Sequence, residues 1–233
     1  MTPHPSTSHD IPAERRAAPR MEGAMARWYA RNRGSANQRA QYRAQAAALA
    51  ADLPDGADVL EVAPGPGYLA VELARTGRLT VTGVDLSHSF VAIAAELARR
   101  EGVQVDFRHG DAGDLPFPAQ SFDLVVCQAA FKNFPKPVVA LDEMHRVLRP
   151  GGTAVIDDMN HDVTGQDIAR EVAAMGVSRR DAAFTRLALA GLRRRAATRV
   201  QFERLVAASM FGGCDITTEG IGMRIRLTRR STA

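Results

Sequence analysis

The chain has 233 residues, 45% of them apolar, with 30 basic and 26 acidic side chains and a formal net charge of +4. That is enough apolar material for one sizeable α/β domain, and no run approaches the eighteen or so apolar residues a bilayer span requires. Lys132 and Lys136 are the only lysines, so the excess of Arg reads as GC-rich codon usage more than as a phosphate-binding footprint, and neither a nucleic acid nor a membrane is the expected partner.

In chain order, residues 1–20 are rich in Pro, Ser and Arg and carry no apolar core, which predicts a disordered tail and no secretory leader. Residues 21–233 are expected to form a single domain. Met21 to Ala51 is rich in helix formers with a break at Gly34, predicting two helices. After the turn signal LPDGAD comes a first strand, Val59 to Val62, followed by a helix over Tyr68–Thr76. A second strand spans Leu79–Val84. A helix then starts behind Ser87, a candidate N-cap, and stops at Gly102. Gln104–Arg108 is a third strand and SFDLVVCQA a fourth. PVVALDEMHRVLRPGG reads as a helix closed by Pro150 and two glycines, and TAVIDDM as a fifth strand. Strands alternating with helical segments imply βαβ units and a parallel sheet.

The rhythm then breaks. Asp162 to Ala197 carries no strand signal and is expected as a helical insertion, a cap over about 160–199. One more helix follows, and two strands around Gly220 and Gly222 predict a hairpin forming an antiparallel edge. The expected fold is a doubly wound, mostly parallel seven-stranded sheet of Rossmann-like type. Cys127 and Cys214 stand far apart, which fits two unpaired thiols in a cytoplasmic protein, and no metal-ligand spacing is present.

The most informative stretch is VLEVAPGPGYLAVELA, Val59 to Ala74. Two glycines two apart at the mouth of a strand imply close backbone approach by a ligand. GPGYLA satisfies a dinucleotide fingerprint, and Asp85 stands eighteen residues past Gly67, as a ribose-binding acid does; alone, this pattern does not choose a ligand. Glu61 chooses. A carboxylate aimed at the turn repels a pyrophosphate by roughly 1–4 kcal/mol at 4 Å, and Pro64 and Pro66 donate no N–H groups to an anion. A cation-bearing ligand without phosphate is favoured.

Glu61, Gly65 and Gly67 resemble the first motif of the class I S-adenosylmethionine (SAM)-dependent methyltransferases, acid-x-Gly-x-Gly-x-Gly, with Ala63 in place of the first glycine and a slightly different backbone path expected there. Asp85 in VTGVDLS resembles the acid that takes both ribose hydroxyls, with Leu86 beside it. GDAGDLPFPAQSFD resembles the third-strand motif, in which Asp111 holds the adenine amino group and Ala112 the ring edge. FDLVVCQAAFKNF and EMHRVLRPGG complete the series, closest to the ubiquinone/menaquinone-biosynthesis-like and small-molecule branch. The resemblance covers Asp58 to about Met159 and implies SAM as cofactor. It also implies that residues 21–51 are lid helices from which Tyr29 and Arg33 can reach the methionine carboxylate, with a packed surface helix as the competing explanation.

The acceptor is expected over the ends of strands four and five. Gln128, in QAAF, stands where amino-methylating relatives carry an Asn-Pro-Pro-Tyr type motif, and the likeness is faint. Phe131, Phe134 and the single Trp28 form a candidate aromatic wall for a small organic acceptor, each with a core or surface role as its alternative. His161 is the candidate base, with Asp157 or Asp158 orienting or replacing it; its alternatives are an exposed loop histidine and a reaction that needs no base. Met175, Phe184 and Leu187 of the insertion are expected to roof the pocket. The reading is methyl transfer from SAM to a small organic molecule in bacterial specialised metabolism. Its alternatives are an NAD(P)-dependent oxidoreductase, a non-catalytic SAM-binding protein and RNA methylation. A homo-oligomer stays open.

Overall fold

The computed structural model describes residues 21–175 and 179–231; the expected tail over 1–20 lies outside them. Two helices open the described chain, α1 (Gly23–Asn32) and α2 (Ala36–Ala50). Five strands and three α-helices follow: β1 (Asp58–Val62), α3 (Tyr68–Arg75), β2 (Thr80–Asp85), α4 (His88–Glu101), β3 (Asp106–His109), β4 (Phe122–Gln128), α5 (Pro137–Val147) and β5 (Leu148–Met159). The insertion holds α6 (Gly165–Ala174) and α7 (Arg179–Arg193). The chain then closes with α8 (Arg199–Ala207) and the hairpin β6 (Asp215–Glu219) and β7 (Gly222–Thr228).

The sheet has seven strands in the order β3-β2-β1-β4-β5-β7-β6. The first five run parallel, while β7 pairs antiparallel with both β5 and β6. The expected mostly parallel sheet with an antiparallel edge is therefore present. Apolar side chains cover both faces. One cluster joins β4, β5 and β7 to α5 and α8 through Val125, Leu141, Met144, Ile156, Phe202 and Ile225. The other joins β1 to α3 through Val59, Leu69 and Leu73. Central strands buried on both faces read as continuous apolar runs, which is why VLEV and LVVC carry no alternation.

Local chemistry fixes the ends. Ser87 Oγ accepts the Phe90 N–H at 3.1 Å to start α4, and Gly102 ends that helix at φ +67°, the left-handed cap that glycine adopts without Cβ strain. Two boundaries differ from expectation: β3, expected from Gln104, begins at Asp106, and α5 stops at Val147, with RPGG belonging to β5. Arg149 is drawn into the sheet by ion pairs to Asp58 and Asp123, at 2.7 and 2.6 Å, so the strand starts before the Pro-Gly-Gly punctuation.

The insertion also packs differently from expectation. Ala182 and Leu189 of α7 turn inward onto Met159, Val163 and Ile168. Phe184 and Leu187, expected as a roof, are 65% and 73% exposed. Cys127 and Cys214 are free thiols. No helix among the described residues is long and apolar enough to cross a membrane.

Candidate functional site

Adjacent β1 and β4 continue in opposite directions across the sheet, β1 toward β2 and β4 toward β5, which opens a crevice beyond their carboxyl ends. The turn after β1 forms its floor. Ala63, Gly65 and Gly67 all have positive φ, at 57°, 54° and 81°. Ala63 is thus held in a conformation that costs a residue with a Cβ about 1–2 kcal/mol, anchored by its N–H to the Val84 carbonyl at 2.8 Å. Gly67 is needed for packing as well: a Cβ there would stand 2.7 Å from Ala94 Cβ and 2.9 Å from Phe107 Cζ. At Gly65 the same construction meets nothing within 4 Å, so that glycine keeps the crevice open.

Asp85, the last residue of β2, ties the turn in place. One carboxylate oxygen accepts the Gly65 N–H at 2.9 Å and the other the Ser87 N–H at 2.8 Å. Burial raises its pKa, against those two amides. Each oxygen keeps a further lone pair for a ligand hydroxyl.

Glu61 lies in β1 with only 2% of its surface exposed. Its Oε2 is buried and has no hydrogen-bond partner. Desolvation pushes its pKa up to about 8, opposed by the Ala70 amide and reinforced by the Asp85 charge. The Nε of Arg33, just past α1, is likewise buried without a partner. Tyr42 of α2 feels both charges: burial raises its pKa most, Arg33 opposes and Glu61 adds. Arg33 lies 5.8 Å from the Tyr29 ring centre, and Tyr29 packs edge-on against Phe90 at 5.8 Å. Trp28, on the other side of α1, is 51% exposed and belongs to the outer surface, which removes it from the expected aromatic wall.

The start of α1 reaches the far rim. Glu22 accepts the His88 and Ser89 N–H groups at 3.1 and 3.0 Å, an acid at the positive end of α4. Leu86 follows Asp85 at half-burial, and its carbonyl lies 3.1 Å from His109 Nε2. Asp111 is exposed beyond β3; one oxygen accepts the Gly113 N–H at 2.9 Å. Ala112 packs against the core beside it.

On the other rim, Gln128 Nε2 donates to Gln45 Oε1 and Gln45 Nε2 to Asp157 Oδ2, both at 2.7 Å. Arg224 clasps Asp157 with two bonds of 2.7 and 2.8 Å. Asp157 is therefore a neutralised structural carboxylate and not a free base. Phe131 is also corrected to a core role, 1% exposed between Phe134 and Phe202, while Phe134 is half-buried. His161 lies two residues past β5, exposed, with Nδ1 3.9 Å from Asp162. Composition singled out Lys132 only as one of two lysines. The structure buries its side chain against Asp158 at 2.7 Å.

Residues 60–156 match the family model described as a methyltransferase domain. That likeness takes in the strands and turns that build the crevice, β1 through most of β5. Among curated relatives, the demethylmenaquinone methyltransferase of Deinococcus radiodurans is 39% identical over 99 residues, 42% of this chain and 41% of that protein. The aligned segment thus spans under half of the relative's length. A SAM-dependent methyltransferase structure from Aquifex aeolicus superposes with a TM-score of 0.65 at 14% identity, covering 87% of this chain and 97% of that one. The [4+2]-cyclase SpnF shares the fold with a TM-score of 0.55 at 23% identity, covering 82% and 81%.

The crevice fits SAM on its own evidence. A buried carboxylate with one oxygen unpartnered and a half-buried guanidinium with its Nε unpartnered suit the zwitterionic end of an amino acid. The open face of Gly65 leaves room for it, and Asp85 suits a ribose diol.

Proposed function

We propose that the protein transfers a methyl group from SAM to a small organic acceptor. The observation that carries this reading is the buried Glu61 oxygen without a partner, next to a left-handed turn whose middle glycine faces open space. When bound, SAM supplies an electrophilic methyl group on a sulfonium. The chain's residues hold the rest: Glu61 takes the ammonium, Arg33 with Tyr29 the carboxylate, Asp85 the ribose hydroxyls, and Asp111 with Leu86 and Ala112 the adenine. Gln128 closes the site from β4. Methyl transfer is an in-line displacement, so position provides most of the rate enhancement. Where the acceptor carries a proton, His161 is the base, and Phe134 borders the acceptor. The free thiols suit a reducing compartment, and we place the protein in the cytoplasm.

The curated relatives act on demethylmenaquinone by name, which makes a reduced demethylnaphthoquinone ring the first acceptor to test. Incubation with methyl-labelled SAM and that quinol, then chromatography, should move label into the ring. Unlabelled quinol with intact SAM would overturn this acceptor, and no labelled product with any small molecule of a cell extract would favour the second reading, a SAM-binding protein that transfers nothing. That second reading has one specific support: the same fold serves a [4+2]-cyclase.

A further inference from the structure

Strand β4 ends in an unusual way. Ala129, the residue after Gln128, has φ +55°, a left-handed conformation that an alanine does not adopt unless its surroundings impose it. Two contacts impose it. The Ala129 N–H donates to the Asp157 carbonyl at 2.7 Å, and the Ala129 carbonyl accepts from Lys132 Nζ. Lys132 is anchored in turn. Its Nζ donates to Asp158 Oδ1 at 2.7 Å and its backbone N–H to Asp158 Oδ2 at 2.8 Å. The two side chains are 5% and 4% exposed. Asp158 also accepts the Met159 N–H at 2.7 Å, so the pair is locked to β5.

A buried ion pair is weak evidence for stability, because desolvating two charges offsets most of their attraction. An apolar pair would fill this place beside Phe131, Phe202 and Met223 at no electrostatic cost. What an apolar pair lacks is a donor for the Ala129 carbonyl. We propose that Lys132 and Asp158 are positioning residues that clamp Ala129 in its left-handed turn and so fix Gln128 and Phe134 at the acceptor rim. This rests on the reading of the crevice as a methyl-transfer site only for its consequence for rate; the clamp itself is a statement about the backbone.

The test uses the full chain with three variants: Lys132→Met, Ala129→Gly and both together. Amide exchange is followed residue by residue over 128–134, with SAM affinity and methyl transfer to the reduced demethylnaphthoquinone measured in parallel. Lys132→Met should speed exchange of the Ala129 amide at least tenfold, leave Val59 to Val62 unchanged and lower kcat with SAM affinity within twofold. Adding Ala129→Gly, which reaches positive φ without help, should restore protection to within threefold and recover kcat. If Lys132→Met does not fold, Lys132→Met with Asp158→Asn removes both charges together and is tested the same way. Unchanged exchange at Ala129, an increase spread over the whole sheet, or no rescue by glycine would each overturn the clamp. Failure of the wild-type protein to bind SAM or transfer a methyl group would overturn the functional reading instead, while the exchange result still decides the clamp.

Discussion

The Asp85 carboxylate accepts the Gly65 N–H at 2.9 Å across the boundary between β2 and the turn after β1. The acid that suits a ribose therefore also sets the backbone of the glycine turn. Asp85→Asn keeps one acceptor oxygen but loses the charge, and a hydrogen bond to a charged group contributes about 1.5–3 kcal/mol. Calorimetry should show SAM, S-adenosylhomocysteine and methylthioadenosine weakened alike, by tenfold or more. Unchanged affinity for all three would place the ribose elsewhere.

Glu61 predicts a pH dependence. Unfolded, it ionises near the ordinary 4.5 of a glutamate; folded and empty, it holds its proton to about 8. Between those values the folded state binds more protons, so its contribution is present below 4.5 and is lost as pH rises through 8. The loss is on the order of a few kcal/mol. Thermal or urea unfolding should show this decline in the ligand-free protein, and Glu61→Gln should flatten it. A ligand ammonium lowers that pKa, so SAM binding near pH 7 should release a proton in the wild type and none from residue 61 in Glu61→Gln. Titrations in buffers of different ionisation heat measure this directly.

Arg33 separates the two ends of the cofactor. Arg33→Leu removes the half-buried guanidinium beside Tyr29 and Tyr42. SAM should bind at least tenfold more weakly, by the same charge-assisted bond, while methylthioadenosine, which has no carboxylate, binds as before. Equal losses for both ligands would show that the lid is merely misfolded.

Ala63→Gly tests the strain in the turn. Glycine at φ +57° relieves a steric cost of about 1–2 kcal/mol and loses about 0.4–1 kcal/mol through the freer unfolded chain. A net gain of between zero and about 1.6 kcal/mol is expected by urea unfolding. A clear destabilisation would mean that Ala63 is not strained.

Much of this was legible in the chain. Short apolar runs marked the central strands β1, β4 and β5, and Glu61, Gly65, Gly67 and Asp85 fall at one crevice because strand-end residues of a parallel sheet must. What was not legible depends on contacts between distant segments. Phe131 and Phe134 are three apart in sequence, and only packing on Phe202 sends the first into the core. Asp157 looked like a free carboxylate until β7 placed Arg224 against it, 67 residues away. Phe184 and Leu187 carry the apolarity of a roof, yet Ala182 and Leu189 are the pair that turn inward. Lys132 had a weak signal, a rare lysine in a chain of arginines, with nothing local to reveal Asp158 as its partner.

One titration addresses the central claim, that a buried acid at the glycine turn selects a cationic cosubstrate over a dinucleotide. The full chain is titrated calorimetrically with SAM and, separately, with NADH under the same conditions. SAM should bind and NADH should give no saturable heat. Saturable binding of NADH with none of SAM would contradict the account at its root.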